Sequence, residues 1–460
     1  MIDVVVFGTG QYYRKYKKYL YSEKINIVAF IDNNINMCGR QIDGFLVYFP
    51  KELHRIKYDY IILMSLYSYK MNKQLLELKI DKSKIWYIGN LIEYVDDNYE
   101  IKLLNSVDMQ EKVLILTPSL IYDGGTRAVL NLVYILAKHD YEVHIITPKC
   151  DDNLIDDIRE RSNKVRVIEK ASMPYGTFDF IKIDSYKFIL VNSIVLIKNA
   201  IQMVGRNRII LWLHDPSIVY NNIITQYKEY MNIEQLSKIK EIYAVSIIAK
   251  NNLKRYVDID NINILPCGVE NTSKLKDKYI NTEKITFAVI GNISSLKNQE
   301  LFIKAIQKIQ SINNKKIEFD IIGRIGDQKY ADELLKNIEN IENIKYLGEY
   351  KSSENNNLYD KIDVVVCTSV EETLSLTVVE GMMYSKICIT SSNTGIASYI
   401  NNYENGLIFN NNDYYDLAYK MKWVIDNQDK WEKIKTNAKR TYDSNFALNI
   451  FENNIMKIIV

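Results

Sequence analysis

Short, continuous apolar segments alternate with segments of helical periodicity along almost the whole chain. They form three series, which open with "DVVVFG" near the N-terminus, with "KVLILTPS" at residue 112 and with "KITFAVIG" at residue 284. Strands that are apolar on both faces and separated by helices are typical of parallel sheets with helices on both sides. The pattern therefore predicts an α/β protein of three doubly wound Rossmann-like units, with ligand sites at the carboxyl ends of the strands.

Polar and charged stretches separate the three series and predict the domain boundaries. They lie near residues 95–111 and in "ENTSKLKDKYINTEK", residues 270–284. A further helical stretch, from about residue 413 to 459, ends the chain and is long enough to pack back on a neighbouring domain. The predicted segments are an accessory domain over 1–105, a second domain over 112–275, a third over 284–440 and a C-terminal helix over 441–460.

The composition excludes several classes of function. The chain has 460 residues, and its net charge of +2 gives no sign of a nucleic-acid partner. Five widely spaced cysteines without CxxC spacing, and only four histidines, argue against a disulfide framework or a metal site and suit a reducing compartment. No signal peptide or membrane-spanning run is apparent. The expected location is cytoplasmic, with peripheral association at the inner face of the cell membrane left open.

The first series contains most of a dinucleotide-binding fingerprint. Gly8 and Gly10 follow a strand and precede a helix, and Asp32 ends the next strand. Tyr13 stands at the position of the third glycine, so the fingerprint is incomplete. The layout resembles small Rossmann-like domains appended to sugar-modifying enzymes of bacterial surface polysaccharides. A nucleotide site and a domain that binds no ligand both remain open for this region.

The second series offers two candidate features at strand ends. Gly124 and Gly125 begin the helix after the first strand, where the backbone can approach a ligand closely and a helix N-terminus favours a negative group. His214 follows the strand "IILWL" and can donate a hydrogen bond to a sugar hydroxyl or a phosphate. An ordinary turn and a structural histidine are the alternatives.

The third series contains two carboxylates at a spacing that suits a nucleotide-sugar. In "EETLSLTVVEG", Glu372 precedes the predicted helix "LSLTVVEGMMYS" and Glu380 lies within it. Eight residues of helix span roughly 12 Å, close to the distance from hexose to ribose. The amides of Leu374, Ser375 and Leu376 would then point at the diphosphate from the helix N-terminus. Lys297, in the loop after an earlier strand, supplies a point charge suited to the same group.

These segments resemble the retaining GT-B glycosyltransferases of family four. The likeness rests on "EETLSLTVVEG", on "GNISSLKNQELFIKAI" before it and on "CITSSNTGIASYINNYENGLIF" after it, and it covers residues 113 to about 440. It implies that the last two Rossmann-like units form a GT-B fold of two facing domains, with the donor bound mainly by the C-terminal one. It also implies a metal-independent, cofactor-free reaction that retains the anomeric configuration.

The resemblance assigns a role to each matching residue. Glu372 would contact the donor hexose, Glu380 the ribose and Lys297 the diphosphate. The loop of Gly124 and Gly125 would face the diphosphate or the acceptor, and His214 would match the histidine near the transferred sugar. The expected catalytic residues are therefore Glu372, His214 and Lys297.

The sequence departs from the family pattern at two positions. Asn292 stands where the family usually has an arginine, five residues before Lys297, and Arg324 in "IIGRIGD" is a candidate for the missing charge. In the glycine loop, Gly395 is present, but Ser398 stands where the family often has glutamate. Asn292, Arg324 and Gly395 are all expected to be donor-binding residues.

The leading hypothesis is a glycosyltransferase that moves a hexose from a UDP- or GDP-sugar to a glycan or glycolipid acceptor. A growing surface glycan of capsule, lipopolysaccharide or teichoic-acid type is the expected acceptor. One alternative is a catalytically degenerate, nucleotide-sugar-binding scaffold of a polysaccharide assembly complex. Another is an NAD-dependent oxidoreductase centred on Gly8, Gly10 and Asp32.

Overall fold

The computed structural model divides into two compact units. The N-terminal unit comprises Met1–Ile242 and Asn252–Ile262, and the C-terminal unit comprises Tyr243–Asn251 and Asn263–Val460. The described residues are 1–65, 67–96, 98–105, 111–173, 178, 181–228, 230–273, 284–309, 316–339, 341–349 and 358–460. The predicted boundary stretches fall partly outside them, at 106–110 and 274–283.

The first sheet has six strands in the order β3-β4-β2-β1-β5-β6, and only β3 pairs antiparallel to its neighbour, β4. Side chains alternate along β1, so that Val4 and Val6 enter one core and Val5 and Phe7 enter the other. The elements are β1 Ile2–Phe7, α1 Gln11–Tyr16, β2 Ile25–Ile31, β3 Gln41–Ile42, β4 Phe45–Tyr48, β5 Tyr60–Leu63, α2 Ser68–Glu77, β6 Ile85–Tyr87 and α3 Ile88–Val95.

The second sheet has eight strands in the order β14-β13-β12-β11-β8-β9-β10-β7. Strand β7, the first of these strands along the chain, lies in the stretch near residues 95–111 that the sequence predicts as a domain boundary. It pairs antiparallel with β10. The strands are β7 Glu100–Leu103, β8 Lys112–Leu116, β9 Glu142–Thr147, β10 Val165–Glu169, β11 Ile189–Asn192, β12 Ile209–Leu213, β13 Glu241–Ala244 and β14 Ile262–Ile264. The helices are α4 Gly124–Lys138, α5 Asp152–Arg161, α6 Ile197–Met203, α7 Ser217–Gln226, α8 Ile233–Leu236 and α9 Ile247–Lys254.

The third sheet has six strands in the order β17-β16-β15-β18-β19-β20, all paired in parallel. The strands are β15 Lys284–Ile290, β16 Lys316–Ile322, β17 Ile344–Tyr346, β18 Val364–Cys367, β19 Ile387–Ser391 and β20 Leu407–Phe409. The helices are α10 Gln299–Ile309, α11 Gln328–Ile338, α12 Leu376–Met383, α13 Tyr414–Asp426, α14 Trp431–Asn445 and α15 Leu448–Ile459.

Three separate helices replace the single C-terminal stretch expected from the sequence. The predicted start of the last helix, residue 441, falls inside α14, and α15 begins only at Leu448. Within the C-terminal unit, Tyr442 donates a hydrogen bond to the carbonyl of Val269 at 2.8 Å, and Phe451 packs on Gly268. The three sheets, in which most of the described strand pairs are parallel, confirm the predicted α/β class, while β3 and β7 pair antiparallel with their neighbours.

Candidate functional site

The third sheet brings Lys297 and Glu372 into direct contact. Lys297 follows β15 and Glu372 follows β18, so both lie beyond the carboxyl ends of neighbouring strands. The Lys297 ammonium forms an ion pair with Oε2 of Glu372, and the two side chains are 29% and 21% exposed. Ser369, buried after the end of β18, donates to the same oxygen at 3.1 Å. A cation and a carboxylate thus meet, still reachable by solvent, at the edge where open α/β sheets bind ligands.

The charge of Lys297 depends on its partner. Burial favours the neutral amine, but the negative charge of Glu372 and the hydrogen bond to it outweigh that effect. The pKa of Lys297 is therefore raised above its ordinary value. A raised pKa keeps the ammonium form at neutral pH, which is the form that binds phosphate.

Backbone contacts hold the two loops in place. Thr368 donates from Oγ1 to the carbonyl of Lys297 at 2.7 Å, and the amide of Gly395 donates to the carbonyl of Glu372 at 2.8 Å. A Cβ at position 395 would clash with the carbonyl oxygen of Thr373, so a larger residue would displace the Glu372 loop. Gly395, predicted as a donor-binding residue, therefore also positions that loop. Ser398 donates to the carbonyl of Gly395 at 2.8 Å.

A strained residue precedes α12. Ser375 has φ 75° and ψ 81°, a left-handed conformation that costs a non-glycine residue about 1–3 kcal/mol. The first hydrogen bond of the helix runs from the amide of Val379 to the carbonyl of Ser375 at 3.2 Å. The helix begins at Leu376 rather than at the predicted Leu374. The amides that the helix leaves for a ligand are therefore those from Leu376 onward.

Glu380 lies inside α12 and has a partner that the sequence did not indicate. The hydroxyl of Tyr359 donates to its Oε2 at 2.6 Å, and the Tyr359 ring stacks on Tyr384 with centroids 4.8 Å apart. Tyr359 is far from Glu380 in sequence and lies in a short 3₁₀ helix, so no local pattern connects the two. The bond fixes the orientation of the Glu380 carboxylate.

Asn292 and Arg324 lie side by side. Arg324 donates from Nε to Oδ1 of Asn292 at 3.2 Å, and both side chains are exposed. Their loops are joined by a hydrogen bond from the amide of Ile293 to the carbonyl of Arg324 at 2.8 Å. The aliphatic part of the Lys297 side chain packs beside Gly291, next to Asn292. The Arg324 side chain therefore lies beside Asn292, and its role as the replacement cation stays a prediction.

In the N-terminal unit, His214 follows β12 and is held in its neutral form. Burial lowers the pKa of His214 to about 3, and its ring lies edge-on to Trp212 at 4.2 Å between centroids. The next residue, Asp215, is buried and accepts from the hydroxyl of Ser193 at 2.7 Å and from the amide of Ile194 at 2.8 Å. A neutral imidazole can donate one hydrogen bond and accept another.

We expect His214 to make the stability of the protein depend on acid pH. Between about pH 6.5 and pH 3 the unfolded chain protonates this histidine and the folded chain does not, so its contribution to stability is lost as pH falls. Thermal melts should therefore show a steeper acid loss for the wild type than for His214→Gln. His139→Gln, at an exposed histidine, is the matched control and should follow the wild type. If the melting temperatures of wild type and His214→Gln fell equally with decreasing pH, the claim that His214 is buried and neutral would be contradicted.

Gly124 and Gly125 form the first turn of α4. Asp123 caps this helix by accepting from the amide of Thr126 at 2.8 Å. The sequence had not singled out this cap. The capping carboxylate is itself negative, so an anion at this turn would have to approach beside it.

The residues of the dinucleotide-binding fingerprint make their contacts within the first sheet and its loops. Gly8 has φ 103°, and a Cβ there would lie 2.8 Å from the carbonyl oxygen of Met64. Asp32 accepts from both the amide and the hydroxyl of Thr9, at 2.9 and 2.6 Å, and from the amide of Asn34 at 2.9 Å. The helix behind Gly10 has only six residues. The glycines thus shape a tight turn, while the carboxylate expected for a ribose already has local partners.

The described residues contain neither a candidate metal cluster nor a helix that could cross a membrane. No group of three or more His, Cys, Asp or Glu side chains within them could hold a metal ion. No helix among them is both long enough and apolar enough to cross a membrane.

Two family models match parts of the chain. Residues 270–441 match the family described as "Glycosyl transferases group 1", and residues 1–86 match the family described as "C2185-like, N-terminal". The first match includes Lys297, Arg324, Glu372 and Glu380. No curated protein sequence matches the chain significantly.

Solved structures establish the fold. A glycosyltransferase from Rickettsia africae ESF-5 superposes with a TM-score of 0.62 at 19% identity, covering 76% of this chain and 98% of that one. Anabaena Alr3699/HepE, in complex with UDP and glucose, gives 0.61 at 17%, covering 76% and 99%. WaaG, a glycosyltransferase involved in lipopolysaccharide biosynthesis, gives 0.56 at 11%, covering 76% and 99%. The predicted GT-B fold is thereby confirmed, and together with the family match it supports a role in glycosyl transfer.

Proposed function

We propose that this chain is a glycosyltransferase that transfers a hexose from a nucleoside-diphosphate sugar to a glycan or glycolipid acceptor. The observation that carries the proposal is the contact between Lys297 and Glu372 beside the N-terminus of α12. It brings a cation, a carboxylate and the first amides of a helix together at one sheet edge. The edge lies within the residues that match the glycosyltransferase family model.

Each group suits one part of the donor. Lys297 and the first amides of α12 would bind the diphosphate, and Glu372 would accept hydrogen bonds from hexose hydroxyls. Glu380, whose carboxylate is oriented by the hydrogen bond from Tyr359, would accept from the ribose diol. His214 at the transferred sugar remains a prediction from the family resemblance, as does a role for Gly124 and Gly125.

The reaction we propose breaks the bond between the anomeric carbon and the diphosphate. Lys297 and Arg324 neutralise the charge that develops on the leaving oxygen, and the helix amides add hydrogen bonds. We propose that no metal takes part, and that an acceptor hydroxyl attacks the anomeric carbon on the face from which the diphosphate leaves and passes its proton to the departing diphosphate. The configuration of the sugar would then be retained.

We expect Arg324 to replace the arginine that is absent at position 292. Arg324→Ala should weaken binding of the nucleoside diphosphate roughly 10- to 100-fold, because a charged hydrogen bond contributes about 1.5–3 kcal/mol. Adding Asn292→Arg to this variant should restore binding, since the new guanidinium lies beside the lost one. Titration calorimetry measures both effects, with Lys329→Ala as an exposed-cation control. No loss in Arg324→Ala would exclude it from the site.

The acceptor class is proposed from the resemblance and from the named relatives. WaaG takes part in lipopolysaccharide biosynthesis, and we propose a surface glycan or its lipid-linked precursor as the acceptor here. UDP is the first nucleotide to test, because Alr3699/HepE was solved with UDP and with UDP-glucose. A cytoplasmic location at the inner face of the membrane completes the proposal.

The proposal is tested by measuring nucleoside diphosphate release from UDP-glucose, UDP-galactose, UDP-N-acetylglucosamine, GDP-mannose and ADP-glucose. We expect slow release from one donor class, faster release with an acceptor extract and no effect of EDTA. Dependence on an added divalent ion would contradict the metal-free reaction. Release from none of the donors, with or without the extract, would contradict the enzyme itself.

A nucleotide-sugar-binding scaffold is the second candidate. Asn292 in place of the family arginine favours it, because one diphosphate cation is lost from its usual position. The scaffold would bind a nucleoside diphosphate in calorimetry and yet release none from any donor.

A further inference from the structure

The N-terminal unit contains a cavity that none of the proposed donor-binding groups lines. Its volume is about 250 Å³, and it lies between the last elements of the first sheet and helices of the second. The first group of lining residues comprises Asn72, Lys82, Ile85, Tyr87, Asn90 and Glu93. The second comprises Lys198, Thr225, Gln226, Tyr227 and Tyr230.

The two parts of the wall are held together by packing and hydrogen bonding. Helix α2 packs on α7, and the hydroxyl of Ser68 lies 3.3 Å from Oδ1 of Asn222. Both helices contribute to the lining, through Asn72 and through Thr225 and Gln226. The cavity therefore forms where elements of the first sheet pack on helices of the second.

One buried side chain in the wall lacks a full set of partners. Asn72 is only 2% exposed, and its amide bonds to the hydroxyl of Tyr87. Its Oδ1 has no hydrogen-bond partner among the described residues. Turning the amide over would leave the nitrogen without a partner instead, so one polar atom stays unsatisfied in either orientation. Such an atom is costly to bury unless a ligand or water completes it.

The size and chemistry of the lining match a single sugar ring. A volume of about 250 Å³ far exceeds the roughly 30 Å³ share of one water and is slightly below the usual range for drug-sized ligands. Amides, hydroxyls, one carboxylate and two ammonium groups surround it, so the wall offers both donors and acceptors. Tyrosine rings contribute apolar surface. Sugar hydroxyls, which donate and accept at once, satisfy such a wall better than an apolar molecule does.

We propose that this cavity binds one sugar unit. The assignment of this sugar unit to the acceptor glycan depends on the proposed glycosyl transfer. The binding of a sugar in the cavity does not depend on it. The joined first sheet would then add a saccharide contact to the enzyme.

The test uses saturation-transfer NMR on the full chain with glucose, galactose, mannose, N-acetylglucosamine and glucuronic acid. A single ring should bind with a dissociation constant in the millimolar range. We expect a saturable signal from at least one sugar on wild type. Asn72→Leu and Lys82→Ala should each weaken it roughly tenfold or more. Lys84→Ala is the matched control, because this exposed lysine neighbours Lys82 but does not line the cavity.

Each alternative result overturns the proposal in a recognisable way. No signal from any sugar on wild type would reject a monosaccharide site. Equal binding in Asn72→Leu, Lys82→Ala and wild type would place the sugar elsewhere. Displacement by excess UDP would assign the sugar to the donor site. Circular dichroism verifies the folding of each variant. The NMR result tests sugar binding even if the protein shows no glycosyl transfer, because it does not depend on turnover.

Discussion

Glu372→Ala is expected to reduce turnover by roughly 10²–10⁴-fold while the protein stays folded. In the proposed site this carboxylate accepts two hydrogen bonds from hexose hydroxyls, each contributing about 1.5–3 kcal/mol. Binding of the free nucleoside diphosphate, which lacks the hexose, should fall less, and only because Lys297 loses the carboxylate that favours its ammonium form. Product formation from the identified donor measures the first effect, and calorimetry with the diphosphate measures the second.

Glu371→Ala is the matched control for this substitution. It removes a carboxylate from the neighbouring position without touching the oxygen that pairs with Lys297. Activity close to wild type is expected for it. Full activity in Glu372→Ala, or an equal loss in both variants, would remove Glu372 from the donor site.

Lys297→Met is expected to slow transfer by about 10²–10³-fold. The ammonium neutralises charge on the departing diphosphate, and removal of one such preorganised group typically has an effect of this size. Methionine keeps much of the aliphatic length that packs beside Gly291. Nucleoside diphosphate affinity should fall together with the rate, because the product carries the same charged group. Unchanged kinetics would show that the lysine serves the fold alone.

The ion pair allows function and stability to be separated. Lys297→Met leaves the Glu372 carboxylate without its cation, so the melting temperature should fall. Adding Glu372→Ala removes that uncompensated charge and should recover part of the loss. Activity should stay absent in the double variant. Recovery of activity along with stability would mean that the pair contributes only to folding.

Much of the fold could be read from the sequence because the strands are buried on both faces. A segment such as "IDVVVCTS" leaves few other interpretations once helices flank it, and it forms β18. Strand β7 was missed because "EIKL" is short, half polar and at a sheet edge, where only pairing with β10 defines it. The three C-terminal helices were read as one stretch because the turns between α13, α14 and α15 contain neither proline nor glycine.

The candidate site was predictable in its composition but not in its contacts. Spacing identified Glu372 and Glu380, yet pairing with Lys297 depends on two loops brought together by the β15–β18 alignment. The bond from Tyr359 to Glu380 likewise joins a separate element to α12. Such contacts are set by strand order, which no local pattern encodes.

The most direct test of the central claim is a thermal-shift measurement with UDP, GDP, ADP, CMP and dTDP, with and without EDTA. Ligands that bind the folded state raise its melting temperature by mass action. We predict that one nucleoside diphosphate raises the melting temperature of wild type and of Glu371→Ala. EDTA should not change this shift, and Glu380→Ala should show no shift. A stabilising shift that persists in Glu380→Ala, or no shift with any nucleotide, would contradict a donor site at this edge of the third sheet.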